Sequence, residues 1–181
     1  MKIYTKAGDL GDTSLWGKAG PKRTRKDSLR VESYGAVDEA NAWIGMARAW
    51  GVSDATLDHM LEAVQHRLFS LGADLANINE NRSDRVREAD LQELEGWIDS
   101  LDTELPVLKQ FILPGGVPAA AALQVARTVV RRAERRLVSF LGEDSSYGTQ
   151  LKFLNRLSDF LFVAARRVNH LAGLEDTPAQ F

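Results

Sequence analysis

The sequence has no cysteine among its 181 residues, which excludes a disulfide framework and a cysteine-ligated zinc site. No apolar run approaches the roughly 20 residues that span a bilayer, and the opening MKIYTKAGD is too polar for a signal peptide. Neither charge sign dominates, because 23 Lys and Arg face 25 Asp and Glu. We therefore predict a cytoplasmic protein that binds neither a membrane nor nucleic acid, although a local basic cluster could still hold phosphate.

The residues that are present have an ordinary globular composition, with 44% hydrophobic and 27% charged side chains. A chain of this length can bury roughly 70% of its unfolded surface in a single core. We find no repeat of fixed period, no low-complexity tract and no second core. The prediction is one domain over residues 1–181, divided into a non-helical head (1–29), a helix bundle (30–172) and a short tail (173–181).

Apolar residues recur at helical spacing in five stretches, which predicts an all-α five-helix bundle. The first stretch covers about residues 31–49. The apolar stripe of the second consists of Val64, Leu68, Leu71, Leu75 and Ile78. Further stripes cover residues 91–101, 123–137 and 154–171, and turn-sized breaks separate all five. Pro118 should occupy the first position of the fourth helix, where its missing N–H does no harm. No alternation longer than KIYT suggests a strand.

The head contains the segment TKAGDLGDTSLWGK at residues 5–18. Glycines let backbone N–H groups approach an anion closely, and lysine adds charge, so this segment could cradle phosphates. Its glycine spacing matches neither a Walker P-loop nor a dinucleotide fingerprint. A solvated arm with turn residues is the alternative interpretation. The basic run of residues 22–26 is by default a solvated face.

The fourth helix carries a row of arginines beside its apolar stripe. With Arg127 at zero on a helical wheel, Arg131 lies at about 40°, Arg135 at about 80° and Glu134 at about −20°. Arginines that border a core stripe need an acidic partner or a bound anion, because unpaired cations are costly to remove from water. Two interpretations stay open: pairing with Glu134 and with acids of other helices, or an anion site.

Two other helices have polar faces that could complete a cleft or a subunit interface. Asp38 and Asn41 lie one turn apart on the first helix, and Asn155 and Asp159 lie one turn apart on the fifth.

Other sites find little support in the sequence. A di-iron bundle needs Glu-x-x-His on two helices, and no glutamate here has histidine three positions later. His59, Glu62 and His66 could hold a metal, but an ordinary exposed face explains them better. No Ser-His-Asp arrangement stands out.

Read together, several segments resemble the PduO-type ATP:cob(I)alamin adenosyltransferases. They are TKAGDLGDTSL, RVESYGAVDEAN, VQHRLFSLGADLA, FILPGG, ARTVVRRAERR and LKFLNRLSDFLFVAAR. The resemblance covers nearly the whole chain. It implies a ferritin-like, up-down five-helix bundle that forms a homotrimer with active sites between neighbouring subunits. It also implies transfer of the 5'-deoxyadenosyl group of ATP to the cobalt of cob(I)alamin, giving adenosylcobalamin and triphosphate.

The resemblance also implies which residues bind ATP. Mg²⁺ would be bound through the nucleotide, bridging its phosphate oxygens. The implied ATP-binding residues are Thr5, Lys6, Gly8, Asp9, Thr13 and Lys26 of the head, and Arg131, Arg132, Glu134, Arg135 and Asn155 of the helices. Arg132 and Arg136 point away from the arginine row on the wheel, although Arg132 falls inside the family motif.

On the corrin side, the resemblance implies that Phe111 packs against the lower face of cobalamin and displaces its dimethylbenzimidazole ligand. Asp38 and Arg127 would form a salt bridge that shapes the site. Phe111, Asp38 and Arg127 are therefore the expected catalytic and cobalamin-binding residues. The electron would come from an external reductant, a reduced flavin or a flavin reductase, and an adenosylcobalamin-dependent enzyme would accept the product.

The sequence departs modestly from the family pattern. Ala7, Ala40 and Gln124 replace more usual residues, and a few residues are added around residues 17–21. Two alternatives remain: a non-catalytic cobalamin or nucleotide carrier of the same fold, and a purely structural helical oligomer.

Overall fold

A computed structural model describes residues 2–18, 22–79, 83–142 and 145–180. Most of these residues lie in five helices: α1 (Leu29–Ala49), α2 (Ala55–Ala76), α3 (Glu88–Asp102), α4 (Pro118–Leu141) and α5 (Gly148–Leu171). A short 3₁₀ turn, Ser145–Tyr147, precedes α5. The predicted all-α five-helix architecture is confirmed.

Local sequence determines where the helices begin. Ser28 caps α1 by accepting a hydrogen bond from Val31 N, and Asp54 caps α2 by accepting one from Leu57 N at 3.1 Å. The side chain of Asp90, in the first turn of α3, accepts a hydrogen bond from Arg87 N. These side chains satisfy backbone donors that lack partners within the helix. Pro118 is the first residue of α4, as predicted.

The helices pack in the spatial order α2, α1, α4, α5, α3, with each element against its neighbours in that series. The predicted apolar stripes face inwards and form one cluster, in which Ile44, Leu68, Leu123 and Leu157 are almost completely buried. Because burial of apolar surface is the main favourable contribution to folding, this cluster stabilises the bundle that carries the site.

The head is non-helical over its described residues, as predicted, but a strand pair in the head and the earlier end of α2 were not predicted. Residues 2–5, which contain the alternating KIYT, are exposed and form no strand. Two strands that no pattern indicated, β1 (Asp12–Ser14) and β2 (Arg23–Arg25), instead pair antiparallel. Both are short and polar, so no hydrophobic alternation marks them.

The second helix stops at Ala76, two residues before the predicted Ile78. The reason lies in the head, where Trp16 N donates to Ala76 O at 3.1 Å and Ile78 N donates to Trp16 O at 2.9 Å. Ala76 O and Ile78 N therefore bond to the head rather than extending the helix. The predicted breaks at 79–87 and 143–148 and the added residues at 17–21 fall partly outside the described residues.

The tail does not simply extend away from the end of α5. Leu113 N donates to Thr177 O, and Ala179 N donates to Phe111 O, each at 2.8 Å. The residues after α5 thus pair with the segment between α3 and α4.

None of the described helices is both long enough and apolar enough to cross a membrane.

Candidate functional site

The head folds into one compact unit that contains all six of its predicted ATP-binding residues. Lys26 Nζ donates to Gly8 O at 2.9 Å, and an Arg23 Nη donates to Ala7 O at 2.6 Å, so strand β2 and the residue after it hold the glycine loop. A Cβ on Gly8 would lie 3.1 Å from Lys26 Nζ, and glycine avoids this crowding. Thr5, Lys6 and Asp9 are exposed on the same loop, and Thr13 lies on β1.

This unit is attached to the bundle at two points. Trp16 bonds to the end of α2, as described above. Tyr34 of α1 forms a side-chain hydrogen bond with Thr13, and burial raises the pKa of Tyr34 despite that bond and the nearby Arg30 charge. The head is therefore placed over α1 and the end of α2.

The arginine row of α4, which we define as Arg127, Arg131 and Arg135, has no acidic partner among the described residues. Arg127 Nε donates to the neutral Gln124 at 2.8 Å, and Arg135 Nη1 donates to Arg131 O at 3.0 Å. Burial lowers the pKa of Arg127, and the charge of Arg131 lowers it further. The alternative of pairing with Glu134 is thus not found, and the row offers three cations to an anion.

Glu134 instead bonds to α5. Asn155 Nδ2 donates to Glu134 Oε1 at 2.9 Å, which brings together two residues that were predicted to share the site. Both line a cavity of about 520 Å³, together with Glu95 and Arg156. Asp159, the other polar residue noted on the fifth helix, pairs with Arg156 at 3.1 Å and not with the arginine row.

Arg132 lies on the flank of α4 that faces α1. It pairs with Glu39, while Arg136 pairs with Glu32 at 3.4 Å. This agrees with the wheel, which turned both arginines away from the row. The pair with Glu39 places the guanidinium of Arg132 on the α1 side of α4, whereas Glu134 bonds to Asn155 on the α5 side.

Within the single chain, no hydrogen bond or ion pair of the described residues joins Asp38 to Arg127, so their predicted salt bridge stays a prediction. Asp38 is exposed and lines a groove of about 400 Å³ between α1 and α2, next to the exposed ring of Phe69. Asn41 also faces α2, and its Nδ2 donates to Gln65 O at 3.2 Å. The physical reason is that α1 turns this face to α2, whereas Arg127 lies on α4.

Phe111 lies on the segment between α3 and α4, and the residue is 76% exposed. Val107, Leu108 and Leu113 of the same segment are also exposed, so the loop presents an apolar patch. Exposed apolar patches are typical of binding surfaces. This placement agrees with a ring that contacts a large flat ligand.

Sequence reasoning missed the residues that hold this loop. Arg166 and Asn169 of α5 bind its backbone, and Asp176 of the tail binds Arg166. The glycine pair in PGGVP was a sign of an unusual turn, but no sequence pattern indicated these partners.

His59 and Glu62, two of the residues considered for a metal, lie one turn apart on α2. His59 pairs with Glu62 at 3.8 Å on an exposed surface, as expected of an ordinary polar face. Within the described ranges, no group of three or more His, Asp or Glu side chains could hold an ion.

Comparison with known proteins shows what the chain resembles. A family model described as cobalamin adenosyltransferase matches residues 3–168. The corrinoid adenosyltransferase of Bacillus subtilis is 48% identical over 181 residues, covering 97% of this chain and 91% of that protein. The corrinoid adenosyltransferase of Mycobacterium tuberculosis strain H37Rv is 43% identical, covering 93% of this chain and 89% of that protein.

Solved structures agree with the sequence matches. A phenylalanine-to-alanine variant of the PduO-type ATP:corrinoid adenosyltransferase from Lactobacillus reuteri, complexed with cobalamin and ATP, matches with a TM-score of 0.91 and 40% identity. The match covers 99% of this chain and all of that one. An arginine-to-lysine variant from the same organism, complexed with ATP, matches with a TM-score of 0.86, 39% identity and 98% and 100% coverage.

Proposed function

Because this chain belongs to the cobalamin adenosyltransferase family and transfers the adenosyl group of ATP to cobalamin, we propose that its head, together with Arg131 and Arg135 of the arginine row, binds the nucleotide. The observation that carries this proposal is the arginine row itself, in which Arg127, Arg131 and Arg135 have no acidic partner within the described residues. A triphosphate is the anion that such a row suits, since guanidinium forks bind phosphate oxygens with both direction and charge.

The head would close over the same phosphates. Gly8 and its neighbours allow close approach of backbone N–H groups, and Lys6 and Lys26 add charge. The proposed ATP-binding residues are Thr5, Lys6, Gly8, Asp9, Thr13, Lys26, Arg131, Glu134, Arg135 and Asn155, and the family motif adds Arg132, which pairs with Glu39 in the single chain.

The site would lie between subunits of a homotrimer. Within one chain, no hydrogen bond or ion pair of the described residues joins the head loop to Arg131 or Arg135. Asp38 and Arg127 are likewise separate, each without an ion-pair partner in the part of the chain that the structure describes. A second copy could supply the missing neighbour, with Asp38 of one copy pairing with Arg127 of the next.

The nucleotide would carry Mg²⁺, an ion that prefers oxygen ligands and is commonly held by substrate phosphates. The described residues fit an ion held in this way, because the proposed ATP-binding set offers two carboxylates, Asp9 and Glu134, and no described group of three acidic or histidine side chains could hold an ion alone. When bound, Mg²⁺ would neutralise part of the triphosphate charge.

Phe111 would act on the corrin substrate. Its exposed ring would pack against the lower face of cob(II)alamin and displace dimethylbenzimidazole, leaving cobalt with four ligands. Loss of the lower donor lowers the energy of the orbital that accepts the electron. An external reductant, a reduced flavin or a reductase, would supply that electron in the cytoplasm.

The chemical step depends on alignment of the reacting atoms and on neutralisation of the leaving group more than on acid–base catalysis by side chains. The cobalt of cob(I)alamin attacks the ribose C5', a Co–C bond forms, and the C5'–O bond breaks with its electron pair leaving on triphosphate. The residues of this chain would align the reacting atoms, exclude water and neutralise the leaving group. Residues 1–181 would carry out this reaction as a single domain. An adenosylcobalamin-dependent enzyme would then receive the product.

The test is the anaerobic visible spectrum of the protein with cob(II)alamin and Mg-ATP, before and after a strong reductant is added. We expect a four-coordinate species first, and then light-sensitive adenosylcobalamin with triphosphate released. Arg131→Ala should lower turnover about 100-fold, as removal of a charge-stabilising donor does in other enzymes. Binding of both ligands without turnover would favour a carrier, and binding of neither would contradict the proposed site.

A further inference from the structure

The segment of residues 103–117, between α3 and α4, carries Phe111 and contains no helix or named strand. Connections of this length are usually mobile at their tips. Here α5 and the tail bind the backbone of this segment at three places, described in turn below.

The first place is a buried arginine. The side chain of Arg166 is only 3% exposed. Its Nη2 donates to Pro106 O at 2.7 Å, and its Nε donates to Asp176 Oδ2 at 2.7 Å. A second carboxylate, that of Asp102, lies 3.7 Å from Nη1. One guanidinium therefore joins the end of α3, the start of the loop and the tail.

The second place is a side-chain amide at the other end of the loop. Asn169 Nδ2 donates to Gly115 O at 3.0 Å, and its Oδ1 accepts from Val117 N at 3.1 Å. Gly116 lies between them at φ +106°, and a Cβ there would fall 2.0 Å from Asn169 Oδ1. Only glycine lets the amide approach this closely.

The third place is Phe111 itself. Its carbonyl oxygen accepts a hydrogen bond from Ala179 N, and Leu113 N donates to Thr177 O, each at 2.8 Å. The tail thus runs beside the backbone on which the ring is mounted. Arg166 holds that tail through Asp176, so the three places form one connected structure.

We propose that Arg166, Asn169 and Asp176 form a clamp that positions Phe111 against the corrin. They are positioning residues, because they bind backbone and tail rather than substrate. This inference rests on the proposed role of Phe111. Without the clamp the ring would still be present but would no longer be held at one orientation, and misplacement by about 1 Å can cost as much as 100-fold in rate.

If the clamp positions Phe111, its variants should lose turnover from cob(II)alamin but keep turnover from cob(I)alamin. A purely structural role would lower both turnovers alike. Asp176→Asn and Asn169→Ala should each lower turnover from cob(II)alamin by about tenfold or more. Each should also lower the yield of the four-coordinate spectrum. With chemically pre-reduced cob(I)alamin, turnover should stay within about twofold of the original protein, since the ring is not needed once cobalt is reduced.

A matched control comes from another arginine–carboxylate pair. Arg48 Nε donates to Asp58 at 2.8 Å and joins α1 to α2, away from the loop. Asp58→Asn removes a similar contact and should leave the four-coordinate yield unchanged. Asp176→Glu, which keeps the carboxylate, should recover most of the yield that Asp176→Asn loses.

The decisive measurement is a double-mutant cycle of Phe111→Ala and Asp176→Asn. In a Phe111→Ala background, Asp176→Asn should cause no further loss of turnover from cob(II)alamin, because the positioned ring is already absent. Full additivity of the two losses would overturn the clamp, as would unchanged spectra in both single variants. If the original protein forms no four-coordinate species, or if Phe111→Ala retains it, the proposed role of Phe111 fails and the clamp fails with it.

Discussion

At the scale of single residues, half-buried Arg127 has no acidic partner among the described residues of its own chain. It hydrogen-bonds to Gln124, and both burial and the nearby Arg131 lower its pKa. Its proposed partner in a neighbouring copy, Asp38, is exposed, and an ion pair that stays open to water contributes only about 0 to 1 kcal/mol to stability. We expect Arg127→Met to change the free energy of unfolding by less than about 1 kcal/mol, while lowering turnover at least about tenfold. Urea unfolding and initial rates measure the two effects. A stability loss of about 3 to 5 kcal/mol would instead indicate a buried pair.

Gly116 is the residue at which backbone conformation matters most. Its φ of +106° is costly for other residues, and a Cβ would strike Asn169. Gly116→Ala should lose about 1 to 3 kcal/mol. The neighbouring Gly115 has open space at its Cβ position, so Gly115→Ala is the matched control and should change stability by less than about 1 kcal/mol. Equal losses in urea unfolding would contradict this account.

At the scale of elements, the contact between α1 and α2 should depend on pH. The hydrogen bond from Arg48 lowers the pKa of Asp58, outweighing the opposing effect of burial. A carboxyl whose folded pKa is depressed contributes stability above its unfolded pKa of about 4, and this contribution is lost as pH falls through the folded value. Asp58→Asn should therefore be less stable than the original protein at pH 7, and the difference should shrink near pH 3. Urea unfolding at both values measures it, and a constant difference would contradict the assignment.

At the scale of the whole molecule, the separation of Asp38 from Arg127 predicts complementation. Asp38→Asn and Arg127→Ala should each be nearly inactive alone. When the two are co-expressed, each mixed assembly of the proposed trimer should regain one site in which both residues are original. Random assembly should give about a quarter of the original activity in the mixture. Sedimentation measures whether the co-expressed variants assemble as trimers. If the mixture is as inactive as each variant alone, both residues belong to the site of one subunit.

The sequence by itself determined the parts of this protein that depend on local spacing. Five apolar stripes predicted five helices, Pro118 was expected at the start of the fourth helix, and the wheel separated Arg132 from Arg131 and Arg135. These features follow from side chains a few residues apart on one helix, and the periodicity of the helix relates such neighbours directly. The family resemblance, carried by motifs such as RRAER and FILPGG, likewise indicated the activity.

Tertiary structure decided which distant groups meet. Arg132 pairs with Glu39, Asn155 bonds to Glu134, and the tail runs beside Phe111. The head hairpin, the early end of α2, and the contacts of Arg166 and Asn169 also depend on partners far along the chain. No spacing rule connects such residues, because their contacts arise only after the helices have packed and their backbone polar groups have found partners.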